Sequence, residues 1–128
     1  MKHNDVGRFG EKQAALFLKK RGYKIVDRNI HMSHNEIDII AKSKEFLLFV
    51  EVKTRSVGKD LYSEYGTPAE AVTLQKQKRI ITAARDYLYF NSKKHGHLQP
   101  RFDVIEVYLD KESGKTLKIN HFEDAFYN

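Results

Sequence analysis

The stretch FLLFVEVKTR, residues 46–55, constrains the fold more than any other part of the sequence. Its five consecutive apolar residues, 46–50, are typical of a strand that is buried on both faces of a sheet. Glu51 and Lys53 follow with one Val between them. Because side chains alternate faces along a strand, these two charges point the same way. A buried charge needs a partner or a metal, so the fold has to bring compensating groups to the end of this strand.

A second acidic pair lies on the preceding predicted strand, in the stretch NEIDIIA. Glu36 and Asp38 share one face of that strand. If the two strands pair as a hairpin, Asp38 and Glu51 lie side by side, with Lys53 next to them. The sequence therefore predicts two carboxylates and a lysine on one patch of a largely apolar sheet.

Two interpretations of this charged patch remain open. The first is a structural ion pair between Glu51 and Lys53, with Asp38 reaching solvent or a backbone donor. The second is a site for a hard cation, since Mg²⁺ is commonly held by one or two carboxylates, waters and a substrate phosphate. Buried ion pairs stabilise weakly because desolvation offsets their attraction. Two adjacent carboxylates also repel unless one is protonated or a cation bridges them. We therefore favour the cation site.

The remaining pattern predicts one α/β domain over residues 1–128, with no repeat and no linker. Asp5 is predicted to cap a first helix and Gly22 to end it. A second helix is predicted from Thr67, its N-cap, to about Asn91, with Pro68 and Glu70 completing its start. The predicted strands are YKIVDRNIHM, EIDIIA, FLLFVEVKT, RFDVIEVYL and TLKINHF, and SKKHGHLQP is predicted to be a loop. The order α-β-β-β-α-β-β predicts a mixed central sheet of about five strands flanked by helices.

Composition narrows the class of protein. The chain has no cysteine, which excludes disulfides and thiolate metal sites. It has neither a signal-peptide pattern nor an apolar run long enough to span a membrane, so we expect a cytoplasmic protein with no membrane partner. Lys and Arg number 23 against 17 Asp and Glu, a net charge of +6. This excess favours a polyanionic partner, most simply nucleic acid, although many small proteins carry such a charge for solubility.

Basic and aromatic residues after the charged strand are candidates for contact with nucleic acid. The alternatives are an ordinary polar loop and a solvated helix face. Lys76 falls within the inward stripe of the second predicted helix, so it points either toward the carboxylates or out to solvent along the core. The candidates are Arg55, Lys59, Tyr62, Tyr65, Lys76, Lys78 and Arg79.

Four histidines are closely spaced in two pairs, at positions 31 and 34 and at positions 95 and 97. With no Cys and no third ligand at a recognisable spacing, we interpret them as surface loop residues rather than zinc ligands.

The ordered motifs resemble those of a known superfamily. GRFGEKQAALFLKKRGYKIVDRN, NEIDIIA, FVEVKTR, the Lys-rich second helix and RFDVIEV together resemble the PD-(D/E)xK nucleases. They are more specifically similar to a YraN-type family of predicted endonucleases, themselves similar to archaeal Holliday-junction resolvases. The resemblance covers most of the chain and implies a restriction-endonuclease-like fold. It also raises homodimerisation as an expectation.

The resemblance implies a role for each charged residue. Asp38 and Glu51 would be ligands of Mg²⁺, or alternatively Mn²⁺, helped by the backbone carbonyl of Val52. Glu11 would lie nearby, contacting the metal or a metal-bound water, although a solvated surface position is its alternative. Lys53 would orient the attacking water or stabilise charge on the phosphate. These residues form the expected catalytic set.

The sequence departs from the family pattern at two places. Asn35 stands where the family usually has Gly, and Asn tolerates a left-handed backbone, so we expect the turn to be kept. Ile37 replaces the superfamily's namesake Pro and leaves the expected ligands intact.

These observations support one leading hypothesis and two alternatives. The leading hypothesis is a metal-dependent endonuclease that hydrolyses phosphodiester bonds in DNA, in branched or damaged structures. The alternatives are a nucleic-acid-binding module of the same fold that does not cut, and a protein-interaction domain in which the charges form a structural cluster.

Overall fold

The computed structural model describes residues 3–58 and 72–127 of the protein. Helices and strands occupy most of these two ranges. They are α1 (His3–Lys20), β1 (Lys24–Met32), β2 (Asn35–Lys42), β3 (Phe46–Val57), α2 (Leu74–Phe90), α3 (Ser92–His95), β4 (Gln99–Asp110) and β5 (Thr116–Phe126).

The described strands form one open sheet in the order β1-β2-β3-β4-β5. β3 and β4 run parallel, and the other neighbouring strands are antiparallel. A parallel pair needs a crossover connection, and α2 lies in the connection between β3 and β4. The predicted α/β architecture with a mixed five-stranded sheet is confirmed.

Burial on both faces of β3 explains its apolar run. Leu47 and Phe49 pack in the cluster under α2, and Leu48 and Val50 pack in the cluster under α1. None of these four side chains is more than 1% exposed. Glu51 follows Leu47 and Phe49 on the face of β3 that is turned to α2, so the first charged residue of β3 lies at the edge of the hydrophobic core.

α1 ends as predicted but begins earlier. Gly22 has φ +93°, and the amides of Gly22 and Tyr23 donate to the carbonyls of Lys19 and Leu18, which is a Schellman motif. The prediction that Asp5 caps the helix is wrong. The helix begins at His3, and Asp5 lies in its first turn, where a carboxylate interacts favourably with the helix dipole.

The prediction of one helix from Thr67 to Asn91 is wrong at its start. α2 begins at Leu74, because Thr73 is extended (φ −61°, ψ 158°) and its hydroxyl accepts the Lys76 amide at 3.2 Å. The predicted cap at Thr67, with Pro68 and Glu70, lies outside the described residues. In the described ranges, no helix is long and apolar enough to cross a membrane.

The predicted loop before β4 contains the short helix α3 instead. The interpretation of His95 as a surface residue is also wrong. Its side chain is 5% exposed and stacks on Tyr87 with ring centroids 6.3 Å apart, which anchors α3 to the end of α2. His31 is exposed but lies in β1 rather than in a loop.

The turn between β1 and β2 places its left-handed residues differently from the prediction. Ser33 and His34 have φ of 51° and 65°, whereas Asn35 is already the first residue of β2. Two consecutive positive φ angles are typical of the tight turns that join antiparallel strands. The hydroxyl of Ser33 donates to Asp86, so the turn is attached to α2.

Candidate functional site

Asp38 and Glu51 meet at the point where the pairing of β2 with β3 ends. The register pairs Ile39 with Val50, which places the two acidic residues next to each other, as the hairpin predicts. Instead of a backbone carbonyl, an Asp38 Oδ atom accepts the Val52 amide at 2.8 Å. A residue's N–H and C=O point to the same edge of a strand, so the Val52 carbonyl is also directed toward this gap.

Two lysines approach the buried carboxylate of Glu51, whose residue is 4% exposed. Lys76 Nζ lies 2.7 Å from Glu51 Oε1, and Lys53 Nζ lies 3.9 Å from the same oxygen. Lys76 is one helical turn before the buried Ile80, so it leaves α2 on the inward face. Of the two directions that the sequence left open for Lys76, the structure shows the one toward the carboxylates.

The environment of Asp38 disfavours its charged form. Burial raises the pKa of this carboxyl to about 8, and the negative charges of Glu51 and Glu11 act in the same direction. The Val52 amide and the Lys76 ammonium lower the pKa and offset only part of the effect. The fold therefore holds an acid that is largely protonated near neutral pH when no cation neutralises its neighbours.

The two lysines respond in opposite directions to the same cluster. Burial and the neighbouring ammonium of Lys76 lower the pKa of Lys53, although Glu51 and Asp38 counteract this. Burial also opposes the charge of Lys76, but its hydrogen bond and attraction to Glu51 raise its pKa overall. Lys76 is thus the main counterion of Glu51, and Lys53 is a destabilised ammonium next to it.

Glu11 reaches the site from the flank of α1. Burial raises the pKa of its carboxyl, Arg28 lowers it, and Glu36 and Glu51 raise it. These interactions place Glu11 within electrostatic range of the other carboxylates rather than on a purely solvated surface. With the amide nitrogen of Asn29 directed at it, the Glu11 carboxylate accepts hydrogen bonds at 2.7 and 3.3 Å.

No pattern in the sequence marks Asn29 as a site residue, because a lone Asn in a predicted strand carries no signal. Glu36 was recognised only as sharing a face with Asp38. The structure places Glu36, which is exposed, at the rim of the same site. Its position on the Asp38 face follows from the two-residue period of β2.

An open cleft of about 610 Å³ adjoins the two carboxylates. It is bordered by the β1–β2 turn on one side and by the first turns of α2 on the other. Arg79 lines the cleft, whereas Lys78 is exposed on the same helix and does not. The lining residues are His34, Asn35, Glu36, Asp38, Glu51, Lys76, Arg79 and Ile80.

Arg55 is not among the described residues that line this cleft. Arg55 lies on β3, and its Nε is 3.4 Å from an oxygen of the buried Glu106, which also accepts the Tyr108 hydroxyl at 3.0 Å. Its guanidinium is therefore engaged with the sheet. The predicted contacts Lys59, Tyr62 and Tyr65 lie outside the described residues.

A second charged cluster is structural and lies elsewhere on the sheet. Arg101 donates two hydrogen bonds to Asp103, at 2.9 and 2.8 Å. His121 Nε2 is 2.7 Å from the same carboxylate, and the Asp124 amide donates to it at 3.0 Å. These contacts satisfy the fully buried Asp103 and join β4 to β5.

The donor atoms at the first site suit a hard divalent cation. Asp38, Glu51 and the Val52 carbonyl offer oxygen only, and the repulsion between the carboxylates is the kind that a cation removes. Within residues 3–58 and 72–127, no three His, Asp or Glu side chains form a closed metal cage. Mg²⁺ does not require one, because it keeps several waters and uses one or two carboxylates.

Comparison with known proteins assigns the chain to a family. The model of "Uncharacterised protein family UPF0102" matches residues 10–107, which include every described residue of the candidate site. A UPF0102 protein of Caldanaerobacter subterraneus is 45% identical over 121 residues, 94% of this chain and 93% of that protein. Another, of Flavobacterium psychrophilum, is 41% identical over 126 residues, 98% of this chain and 97% of that protein. The expected YraN-type family is thereby confirmed, and the chain belongs to the UPF0102 family.

Proposed function

We propose that this protein is a metal-dependent nuclease with a restriction-endonuclease-like fold, hydrolysing phosphodiester bonds in branched or damaged DNA. One observation carries the proposal. Asp38 and two lysine ammonium groups converge around the buried carboxylate of Glu51, beside a cleft that Asp38, Glu51 and Lys76 line. The resemblance of the ordered motifs to PD-(D/E)xK nucleases supports the same activity.

A purely structural ion pair explains this cluster less well. Lys76, at 2.7 Å, already balances the charge of Glu51. Asp38 and Lys53 remain, and the fold shifts the pKa of each toward its neutral form. Groups kept for stability would not be placed where their charged forms are disfavoured, because desolvation then costs more than the attraction returns. Perturbed pKa values next to a cleft are typical of functional sites.

The residues of the site divide the work of phosphodiester hydrolysis. Asp38, Glu51 and the Val52 carbonyl would bind the cation, which when bound acidifies water and withdraws charge from the phosphoryl oxygen. Lys53 would bind a non-bridging phosphate oxygen and stabilise the negative charge that develops there. Lys76 and Arg79, at the wall of the cleft, would hold the flanking phosphates.

The proposal is tested with labelled four-way junction, flap, nicked and linear DNA, each incubated with Mg²⁺, Mn²⁺ or chelator. We expect the wild type to cut at least one branched or nicked substrate with metal and none with chelator. Asp38→Asn removes the charge but keeps the shape, so cleavage should fall by orders of magnitude. Glu112→Gln, the same chemical change at an exposed turn residue, is the matched control and should cut normally.

Other outcomes would assign the protein to one of the alternatives. Binding to DNA that weakens steeply with salt, without cleavage under any metal condition, would identify a non-catalytic nucleic-acid-binding module. The absence of both cleavage and salt-dependent binding would contradict the proposal and favour a protein-interaction domain.

A further inference from the structure

Asn29 has φ 52°, a left-handed backbone conformation, in the middle of β1. The pairing with β2 keeps one register on either side, with Arg28 opposite Ile39 and Ile30 opposite Ile37. The left-handed conformation therefore neither makes a turn nor shifts the register. For a residue with a side chain this conformation is uncommon and unfavourable, so its presence inside a strand needs an explanation.

The side chain of Asn29 supplies that explanation. With the amide turned so that its nitrogen faces Glu11, the orientation in which it can donate, that nitrogen lies 2.7 Å from Glu11 Oε1 and 3.3 Å from Glu11 Oε2. The register around it places Asn29 opposite Asp38 on the neighbouring strand. Asn29 thus contacts the carboxylate of Glu11, which comes from α1, and lies opposite Asp38 of β2.

Without such a contact, Glu11 has a reason to leave the site. It lies on the flank of α1, half-buried, and burial, Glu36 and Glu51 together disfavour its negative charge, an effect that Arg28 offsets only in part. A glutamate has three rotatable bonds, so repulsion of this kind would turn the carboxylate toward solvent. The Asn29 amide offers a hydrogen-bond donor that is strongest toward a charged acceptor and fixes the direction of the carboxylate.

We propose that Asn29 is a positioning residue that holds the Glu11 carboxylate at the Asp38–Glu51 site, an inference that rests on the proposed metal-dependent function. Asparagine meets both local demands at once. It tolerates the left-handed backbone better than other residues with side chains, and its amide donates to a carboxylate. Glycine would meet only the first demand. Aspartate would place a second negative charge against Glu11.

The test separates the side chain from the backbone. Asn29→Gly keeps the left-handed conformation at no steric cost and removes only the amide. We expect it to fold normally, to bind Mn²⁺ about 10-fold more weakly by titration calorimetry, and to cleave about 10-fold more slowly, as is typical when a group that orients a metal-site residue is lost.

Two control variants test whether the effect of Asn29→Gly is specific to the contact between Asn29 and Glu11. Asp124→Gly changes another residue with positive φ (53°), in β5 and outside the site, and should bind Mn²⁺ like the wild type. In a Glu11→Ala background, Asn29→Gly should cause no additional loss of affinity, because a positioning residue acts only through the residue that it positions.

Each outcome has a distinct meaning. Wild-type affinity and cleavage in Asn29→Gly would overturn this inference and leave the proposed nuclease intact. A further loss from Asn29→Gly in the Glu11→Ala background would overturn it as well, because Asn29 would then act independently of Glu11. A wild type that neither binds Mn²⁺ nor cleaves DNA would overturn the proposed function and this inference together.

Discussion

Replacing Asp38 by Asn should make the metal-free protein more stable while it removes the proposed activity. The Asp38 carboxyl is disfavoured as an anion by burial and by Glu51 and Glu11. Asparagine has nearly the same shape, and its carbonyl oxygen can still accept the Val52 amide. The substitution therefore removes an unfavourable charge and keeps the hydrogen bond.

The magnitude follows from the linkage between protonation and folding. The pKa of Asp38 is about 8 in the folded protein against an ordinary value of 3.8. Between these values the folded state binds the proton more tightly than the unfolded state, so stability is fully present below the lower pKa and falls as pH rises toward the higher one. At about 1.4 kcal/mol per pH unit, the free energy of unfolding that the wild type loses by pH 7 approaches about 4 kcal/mol. Solvent at the partly exposed carboxyl reduces it, so we expect about 2–4 kcal/mol.

The assay is urea unfolding in chelator at about pH 5 and about pH 8, for wild type and Asp38→Asn. The variant should be the more stable protein at both values, by a margin that is clearly larger at the higher pH. Saturating Mn²⁺ should reduce or reverse the difference, because a ligand that binds only the folded wild type stabilises it. A variant that is no more stable than wild type at either pH would refute the reasoning that this carboxyl is electrostatically strained.

Three further predictions test the site and its support. Lys53→Met should lower single-turnover cleavage by orders of magnitude, while Mn²⁺ affinity holds or rises. A large loss of stability with unchanged cleavage would instead indicate that Lys53 forms a structural ion pair with Glu51. Lys76→Met should raise Mn²⁺ affinity about fivefold, since about 1 kcal/mol of competing ion-pair attraction is lost from this partly exposed lysine. Unchanged affinity in calorimetry would contradict its role as the counterion. Gly10→Ala places a methyl carbon against the Thr54 hydroxyl of β3 and should cost about 2 kcal/mol in thermal unfolding. Gly7→Ala, with open space around it, should stabilise by about 0.5 kcal/mol, and equal effects would contradict the close packing of α1.

Local patterns in the sequence were sufficient for most of the architecture. The unbroken apolar run before Glu51 predicts the central strand, because only a strand with core on both faces leaves no polar position. The end of α1 was equally predictable, because helices often end at a residue with a left-handed backbone, and glycine, here Gly22, adopts that conformation most readily. The starts of both helices were predicted wrongly. Thr73, which caps α2, is followed by neither a Pro at the first helical position nor an acidic residue three positions later, so its sequence carries a weaker start signal than TPAE.

The sequence by itself determined which charged groups the protein has to accommodate and on which face of each strand they lie. A two-residue period requires Glu51 and Lys53 to share a face, and a hairpin requires Asp38 to lie next to them. Only the tertiary structure decided how these charges interact. The approach of Lys76 from α2, the desolvation that raises the pKa of Asp38, and the contact between Asn29 and Glu11 all join segments that are distant in the chain. Such contacts depend on the relative positions of packed elements, and no local spacing in a single sequence contains them.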